Sequence, residues 1–191
     1  MIRPFFIARK AQNFCGLVIF FLAITTSVSQ AQPLTAAKDY LKRANTNHEK
    51  GDLDWAIADY SRAIAINPYL AKAYAARGAA WFAKGNLEQA IADYSTALEI
   101  GPDSATTYYN RGIARRALGD LKGAIADYDK AISTAPRFAL AYAERGLARL
   151  IEGEQEKAER DFSRCLKLDP NLKPSLESRI AEMNRPSVAK R

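Results

Sequence analysis

Histidine occurs once in the 191 residues, at His48, and cysteine twice, at Cys15 and Cys165. One imidazole and two distant thiols do not supply the nitrogen and sulfur ligands of a metal site, or a nucleophile with its base. The ten glycines are too widely spaced for a phosphate loop. No catalytic residue, metal or cofactor is therefore expected, and the chain does not read as an enzyme. Long hydrophobic runs are scarce as well. The uncharged apolar stretch at 14–24 (FCGLVIFFLAI) is well short of the roughly 20 residues that cross a bilayer.

That stretch has the setting of a secretory leader. Arg3, Arg9 and Lys10 form a basic start, and Ser29, Gln30 and Ala31 place small residues before a cut. Residues 1–31 are predicted to be a signal peptide cleaved after Ala31, so that the mature chain starts at Gln32 and works in the periplasm or outside the cell. An uncleaved membrane anchor is the competing reading, because weakly polar residues extend the run toward Val28. Cys15 stands at the front of the run, where a lipid-bearing cysteine is not processed, and reads as a small apolar filler. With the leader gone, Cys165 has no partner for an internal disulfide.

Charge of one sign is not strongly dominant either. The net charge is +7, three of those charges (Arg3, Arg9, Lys10) lie in the leader, and +4 remains. The basic residues are spread over the chain and its tail (Arg185, Lys190, Arg191), whereas a nucleic-acid footprint needs them clustered on one face. Acidic peptides or surfaces are the partners that such a charge favours.

What the chain does have is a period. Gly51, Gly85, Gly119 and Gly153 are spaced 34 residues apart, and so are Pro68, Pro102, Pro136 and Pro170. Between them recur Ala56, Ala90, Ala124 and Ala158, then Asp59, Asp93, Asp127 and Asp161, then Tyr60, Tyr94, Tyr128 and Phe162. A period of 34 kept over four copies is that of stacked helix-turn-helix units. The units run 37–70, 71–104, 105–138 and 139–172, after a short linker at 32–36. Each holds a first helix of about 14 residues, a glycine turn and a second helix ended before proline. Asp52, Asn86 and Asp120 follow the turn glycines, where a short acceptor caps a helix.

Residues equally far from the turn should meet at one height in each hairpin. That pairs Gly78 with Ala90, Tyr74 with Tyr94 and Ala71 with Ala97, small on small and large on large. The third unit repeats the scheme with Gly112 and Ala124, Tyr108 and Tyr128. The fourth has Gly146 with Ala158, Tyr142 with Phe162, and Ala139 with Cys165, a buried small residue by this reading. Leu172, Leu176, Ile180 and Met183 have helical spacing, so 173–184 is predicted to cap the last unit, before a disordered basic tail at 185–191.

Arg43, Arg77, Arg111 and Arg145 recur with the same period, each eight residues before a turn glycine as each aspartate is eight after it. They are expected to face Asp59, Asp93, Asp127 and Asp161 across the hairpin or between units, as a structural ion-pair ladder. Removing one partner from such a pair costs about 3–5 kcal/mol if burial is complete.

The helix-A glycines Gly78, Gly112 and Gly146, the turn glycines, the helix-B alanines with their Tyr or Phe and the periodic prolines together resemble the tetratricopeptide repeat family. The resemblance covers about 37–172 and implies an all-α, right-handed α-solenoid of four hairpins with a C-terminal capping helix. It departs from the family at Ala44, which replaces a glycine. Arg115 and Arg149 stand where an aromatic is usual, which would loosen packing or put charge in the groove.

Such solenoids bind proteins on the concave side lined by their first helices. The places that line it in the family are here Lys38, Leu41, Asn45 and His48, then Lys72 and Phe82. They continue as Tyr109, Asn110, Ile113 and Arg116, and end at Leu140, Leu147 and Leu150. This groove would be basic at its start and apolar at its end, suiting a peptide or helix with apolar anchors and an acidic flank; a competing reading packs Leu147 and Leu150 against neighbouring units or the capping helix. A clamp for a terminal carboxylate is not expected, since only Asn45 and Asn110 match it while Ala76 and Glu144 do not. A monomeric protein-binding module is the expected role; an envelope scaffold or self-assembling subunit is the alternative, against which Gln155 and Glu159 on the last second helix argue.

Overall fold

The structure, a computed structural model, describes residues 35–102 and 104–184. The predicted leader, the linker residues 32–34 and the basic tail lie outside them. Among the described residues all regular structure is helical. The first helix occupies 35–50 (α1), followed by α2 (Leu53–Ile66), α3 (Ala71–Ala83) and α4 (Leu87–Ile100). Then come α5 (Ala105–Ala117), α6 (Leu121–Thr134), α7 (Ala139–Ile151) and α8 (Gln155–Leu168). A single 3₁₀ turn (Pro170–Leu172) leads into α9 (Lys173–Asn184).

The helices pack as successive pairs, α3 on α4, α5 on α6 and α7 on α8, and each pair packs on the next through α2 on α3, α4 on α5 and α6 on α7. The chain is a solenoid of hairpins. First helices of adjacent units also touch, α3 with α5 and α5 with α7, while the second helices make no comparable contact. Helices lie closer on the inside of a curve, so the first helices line the concave side.

Each turn closes in the same way. Gly51, Gly85, Gly119 and Gly153 have φ of 83°, 80°, 89° and 81°, the left-handed region in which a Cβ is penalised. The following N–H then reaches back five residues: Asp52 to Asn47 O, Asn86 to Trp81 O and Asp120 to Arg115 O at 2.9 Å, Glu154 to Arg149 O at 2.8 Å. This satisfies carbonyls that a helix end leaves unpaired.

The expected side-chain caps form in one turn of the three. Asp120 accepts from Gly123 N at 2.9 Å, whereas Asp52 and Asn86 make no side-chain cap bond. The reason lies three residues on. A Cβ at Gly123 would collide with the Asp120 carboxylate, and Trp55 and Gln89 carry that Cβ at the equivalent positions.

The layer scheme also needs correction. Tyr94 meets Gly78: a Cβ there would lie 3.0 Å from the ring, and one at Gly112 would lie 2.6 Å from Tyr128. Phe162 closes over Gly146 in the same manner. Helical side chains lean toward their helix N-terminus, so the helix-B aromatic tips toward the turn and covers the glycine, while Tyr74 tips away. Gly78 also meets the Ala90 backbone, 3.2 Å from the Cβ position, as the scheme expected, so what changes is the partner of the aromatic.

α9 caps the last unit through Leu176, which is 4% exposed and packs with Ala143, Leu147 and Cys165. Ile180 and Leu172 add to the same cluster. On α8, Gln155 and Glu159 are exposed and bond each other at 3.0 Å.

Candidate functional site: the concave face and the arginine ladder behind it

Each ladder arginine grips the aspartate sixteen residues on with a two-pronged contact. Nε and Nη2 donate to Oδ2 and Oδ1 at 2.5 and 2.6 Å for Arg43 with Asp59, and at 2.7 and 2.8 Å for Arg77 with Asp93. The distances are 3.0 and 2.7 Å for Arg111 with Asp127, and 3.0 and 2.6 Å for Arg145 with Asp161. The third nitrogen, Nη1, reaches sixteen residues back into the preceding unit. Arg77 donates to Ser61 Oγ at 2.9 Å, Arg111 to Ser95 Oγ at 3.0 Å and Arg145 to Asp129 Oδ1 at 2.5 Å. One side chain thus joins both helices of its hairpin and the hairpin before it.

Tyr40, Tyr74, Tyr108 and Tyr142 each lie under the guanidinium three residues on, at 5.2 to 5.7 Å, a cation-π contact. The Arg43 hydrogen bond holds the Asp59 carboxyl below its ordinary value, against burial, and Arg62 assists. Arg115 and Arg149 neither loosen the stack nor enter the groove. Both turn inward, Arg115 Nη1 to Asp127 Oδ2 at 2.9 Å and Arg149 Nη1 to Asp161 Oδ2 at 2.7 Å. Cys165 is buried, which pushes its thiol up and away from reactivity.

The groove residues fall into three groups. Lys38 and Lys72 are exposed, as is the neighbouring Lys42, and no ion pair joins any of the three among the described residues. Asn45 accepts the Tyr60 hydroxyl at 2.8 Å, and the ring of His48 stands edge-on to Tyr60; Leu41 packs into the core beside them. In the middle, Phe82 leans on the Ala90, Tyr94 and Ala114 cluster, and Ile113 on the Ala124, Tyr128 and Ala148 cluster. Tyr109 lies half-buried with its ring 4.8 Å from Phe138 and 6.1 Å from Tyr128, and Asn110 is half-buried beside it. Burial, then the Glu144 carboxylate, push the Tyr109 phenol up to about 12.

The apolar end is not an open surface. Leu147 is 1% exposed beneath Leu176, so α9 removes it from the groove; Leu150 is half-buried and Leu140 remains exposed. What occupies this end is charged. Glu144, 5% exposed, accepts Arg179 Nη1 and Nη2 at 2.5 and 2.9 Å, with Arg116 Nε 3.4 Å from its Oε2. Sequence reasoning missed Glu144 and Arg179 as a pair. Half of the signal was available, because Arg179 continues the series 43, 77, 111, 145 at the same spacing, but that spacing does not point to Glu144.

Comparison with known proteins agrees with this geometry. The chain matches TPR repeat families over residues 44–85 and 78–115, and the tetratricopeptide repeat over 105–138 and again over 139–172. The chain belongs to the tetratricopeptide repeat family. No curated protein sequence matches it. Among solved structures it is similar to MamA, with 27% identity, 76% of this chain and 85% of that chain covered, and a TM-score of 0.70. It is similar to the Arabidopsis OM64 TPR domain at 26% identity, with 61% and 97% covered and a TM-score of 0.60. The first TPR of Spaghetti (RPAP3), solved with the HSP90 peptide SRMEEVD, shares the fold at 24% identity, with 63% and 95% covered and a TM-score of 0.62.

Proposed function

We propose that the chain is an exported, non-catalytic module that holds a peptide or helix of a partner protein in its concave groove, as a monomer in the periplasm or outside the cell. The observation that carries the reading is the continuous inner face of the first helices. Lys38, Lys42 and Lys72, which join no ion pair among the described residues, lead from one end to the half-buried Phe82, Tyr109 and Ile113. Unpaired cations favour an acidic flank on the ligand, and half-buried aromatic and aliphatic groups take its apolar anchors. The family is one of interaction modules, and the Spaghetti domain carries a peptide. Export rests on the leader-like residues 1–31, and membrane contact would come only through that segment if it stays uncleaved. Neither nucleic acid nor a cofactor is part of the proposal.

The test is affinity capture from native cell envelope by the wild type, by Phe82→Ala and by the pair Lys38→Glu with Lys72→Glu. The same partner should be retained by the wild type and lost by both variants, with helical circular dichroism unchanged. Retention of an identical set by all three sinks the reading.

A further inference from the structure

We propose that Glu144, with Tyr109, Arg116 and Tyr128 around it, is an arginine-accepting subsite of the groove. In the free chain α9 occupies it as a stand-in for a partner helix that carries an apolar residue and, three places on, an arginine. The inference rests on the groove-binding reading above and gives its ligand a direction: acidic part on units one and two, arginine on unit four.

Three observations carry it. First, Arg179 stands in the ladder register but does not make the ladder contacts. Every other ladder arginine bonds an aspartate on the following helix, and no second helix follows α9 among the described residues. Arg179 turns instead to Glu144, on the first helix of the preceding unit and therefore on the groove side. Ser163, the place sixteen residues back where a serine or aspartate receives the ladder nitrogen elsewhere, is left exposed.

Second, Glu144 demands a cation. A buried carboxylate is strongly disfavoured without a hydrogen-bonded partner, and Arg116 does not satisfy it alone, since its Nε makes no hydrogen bond despite being buried. The Tyr128 hydroxyl is also buried, with the Arg116 guanidinium beside it but no well-aligned hydrogen bond. Its counterpart Tyr60 bonds Asn45, but the equivalent residue in this unit is Ile113. Polar capacity is thus left over at the subsite, beyond what α9 uses.

Third, α9 is lightly held. Over 173–183 Leu176 is the one buried residue and Ile180 is half-buried, while Ser175, Glu177, Ser178, Glu182 and Met183 are exposed. Leu176, Arg179 and Ile180 are the first, fourth and fifth places of a helix laid into a groove. A helix with the same three groups, supplied by another protein, satisfies Glu144 equally well and competes with α9. The tethered α9 acts at high effective concentration, so the free subsite is a minor state and apparent affinity falls by its fraction.

A labelled peptide of residues 173–184 is the probe, titrated into the full chain by fluorescence anisotropy. Arg179→Glu in the chain places two carboxylates together and frees the subsite. The peptide should bind this variant at least about tenfold more tightly than the wild type, as release from a tethered competitor requires. Replacing arginine by glutamine in the peptide should remove the gain, a control that leaves the protein untouched, and Glu144→Gln added to the variant chain should do the same. Equal binding to wild type and variant overturns the inference, as does a gain that persists with the glutamine peptide. This assay involves α9 and Glu144 alone, so its failure leaves the envelope capture result standing, and a failed capture leaves the exchange of α9 intact.

Discussion

Asp127 accepts from Arg111 Nε and Nη2 and from Arg115 Nη1 while itself almost fully buried. Its removal strands two guanidinium groups whose side chains are only 15% and 26% exposed. Breaking a fully buried pair costs about 3–5 kcal/mol; partial exposure puts Asp127→Ala at the lower end, about 3 kcal/mol. At about 2–4 °C per kcal/mol for a chain of this size, the thermal midpoint should drop by roughly 6–12 °C. Asp59→Ala should cost clearly less, because the Arg43 side chain is 57% exposed and water takes the aspartate's place. Melts followed by circular dichroism decide it. Equal losses at the two sites would mean that burial of the arginine does not set the energy of the ladder.

At the scale of the element, the hairpin is shaped by the glycine that lies under the helix-B aromatic. Gly112→Ala would set a methyl 2.6 Å from the Tyr128 ring, against 3.0 Å at Gly78 and Tyr94. Overpacking of this kind costs about 1–3 kcal/mol, and the tighter site should stand at the upper end. The urea midpoint of Gly112→Ala should therefore fall below that of Gly78→Ala, and the reverse order would show that ring position does not control the helix spacing. Ala44 in the first unit shows that an alanine is accommodated where the hairpin is built around it. This contact separates what the sequence made legible from what it did not. The period located the four glycine turns and the paired helices around them, because φ near 80° at four equally spaced glycines and a break at four prolines are local demands. The meeting of Tyr94 with Gly78 was not legible from spacing, since it depends on the tilt of Cβ along the helix. Of Asp52, Asn86 and Asp120 the last alone caps its helix for an equally local reason, the absent Cβ of Gly123, whereas the Glu144 and Arg179 contact joins residues 35 apart, off the repeat spacing, and depends on where α9 comes to rest.

Across the whole molecule the repeat places Tyr60, Tyr94 and Tyr128 in the same interior slot, and Tyr109 joins them where the stack meets the groove. Burial raises the phenol of all four, Tyr109 to about 12 with the Glu144 carboxylate adding to the shift. The ordinary phenol value is about 10. Above it an unfolded chain loses protons that the native chain retains, so the unfolded state binds fewer protons and stability falls as pH rises. The contribution of these phenols is complete below about pH 10 and is lost as pH climbs through the raised folded values. Tyr60, Tyr94, Tyr109 and Tyr128 should accordingly titrate above the ordinary phenol value in the folded chain, read from phenolate absorbance. In urea these four should return to it. Tyr109→Phe should flatten the fall of the melting temperature between about pH 10 and 12, because a phenylalanine carries no proton to lose. Titration of these four at the ordinary value in a chain that circular dichroism shows to be folded would mean that water reaches the stack between the hairpins, and the close packing of aromatic on glycine would have to be abandoned.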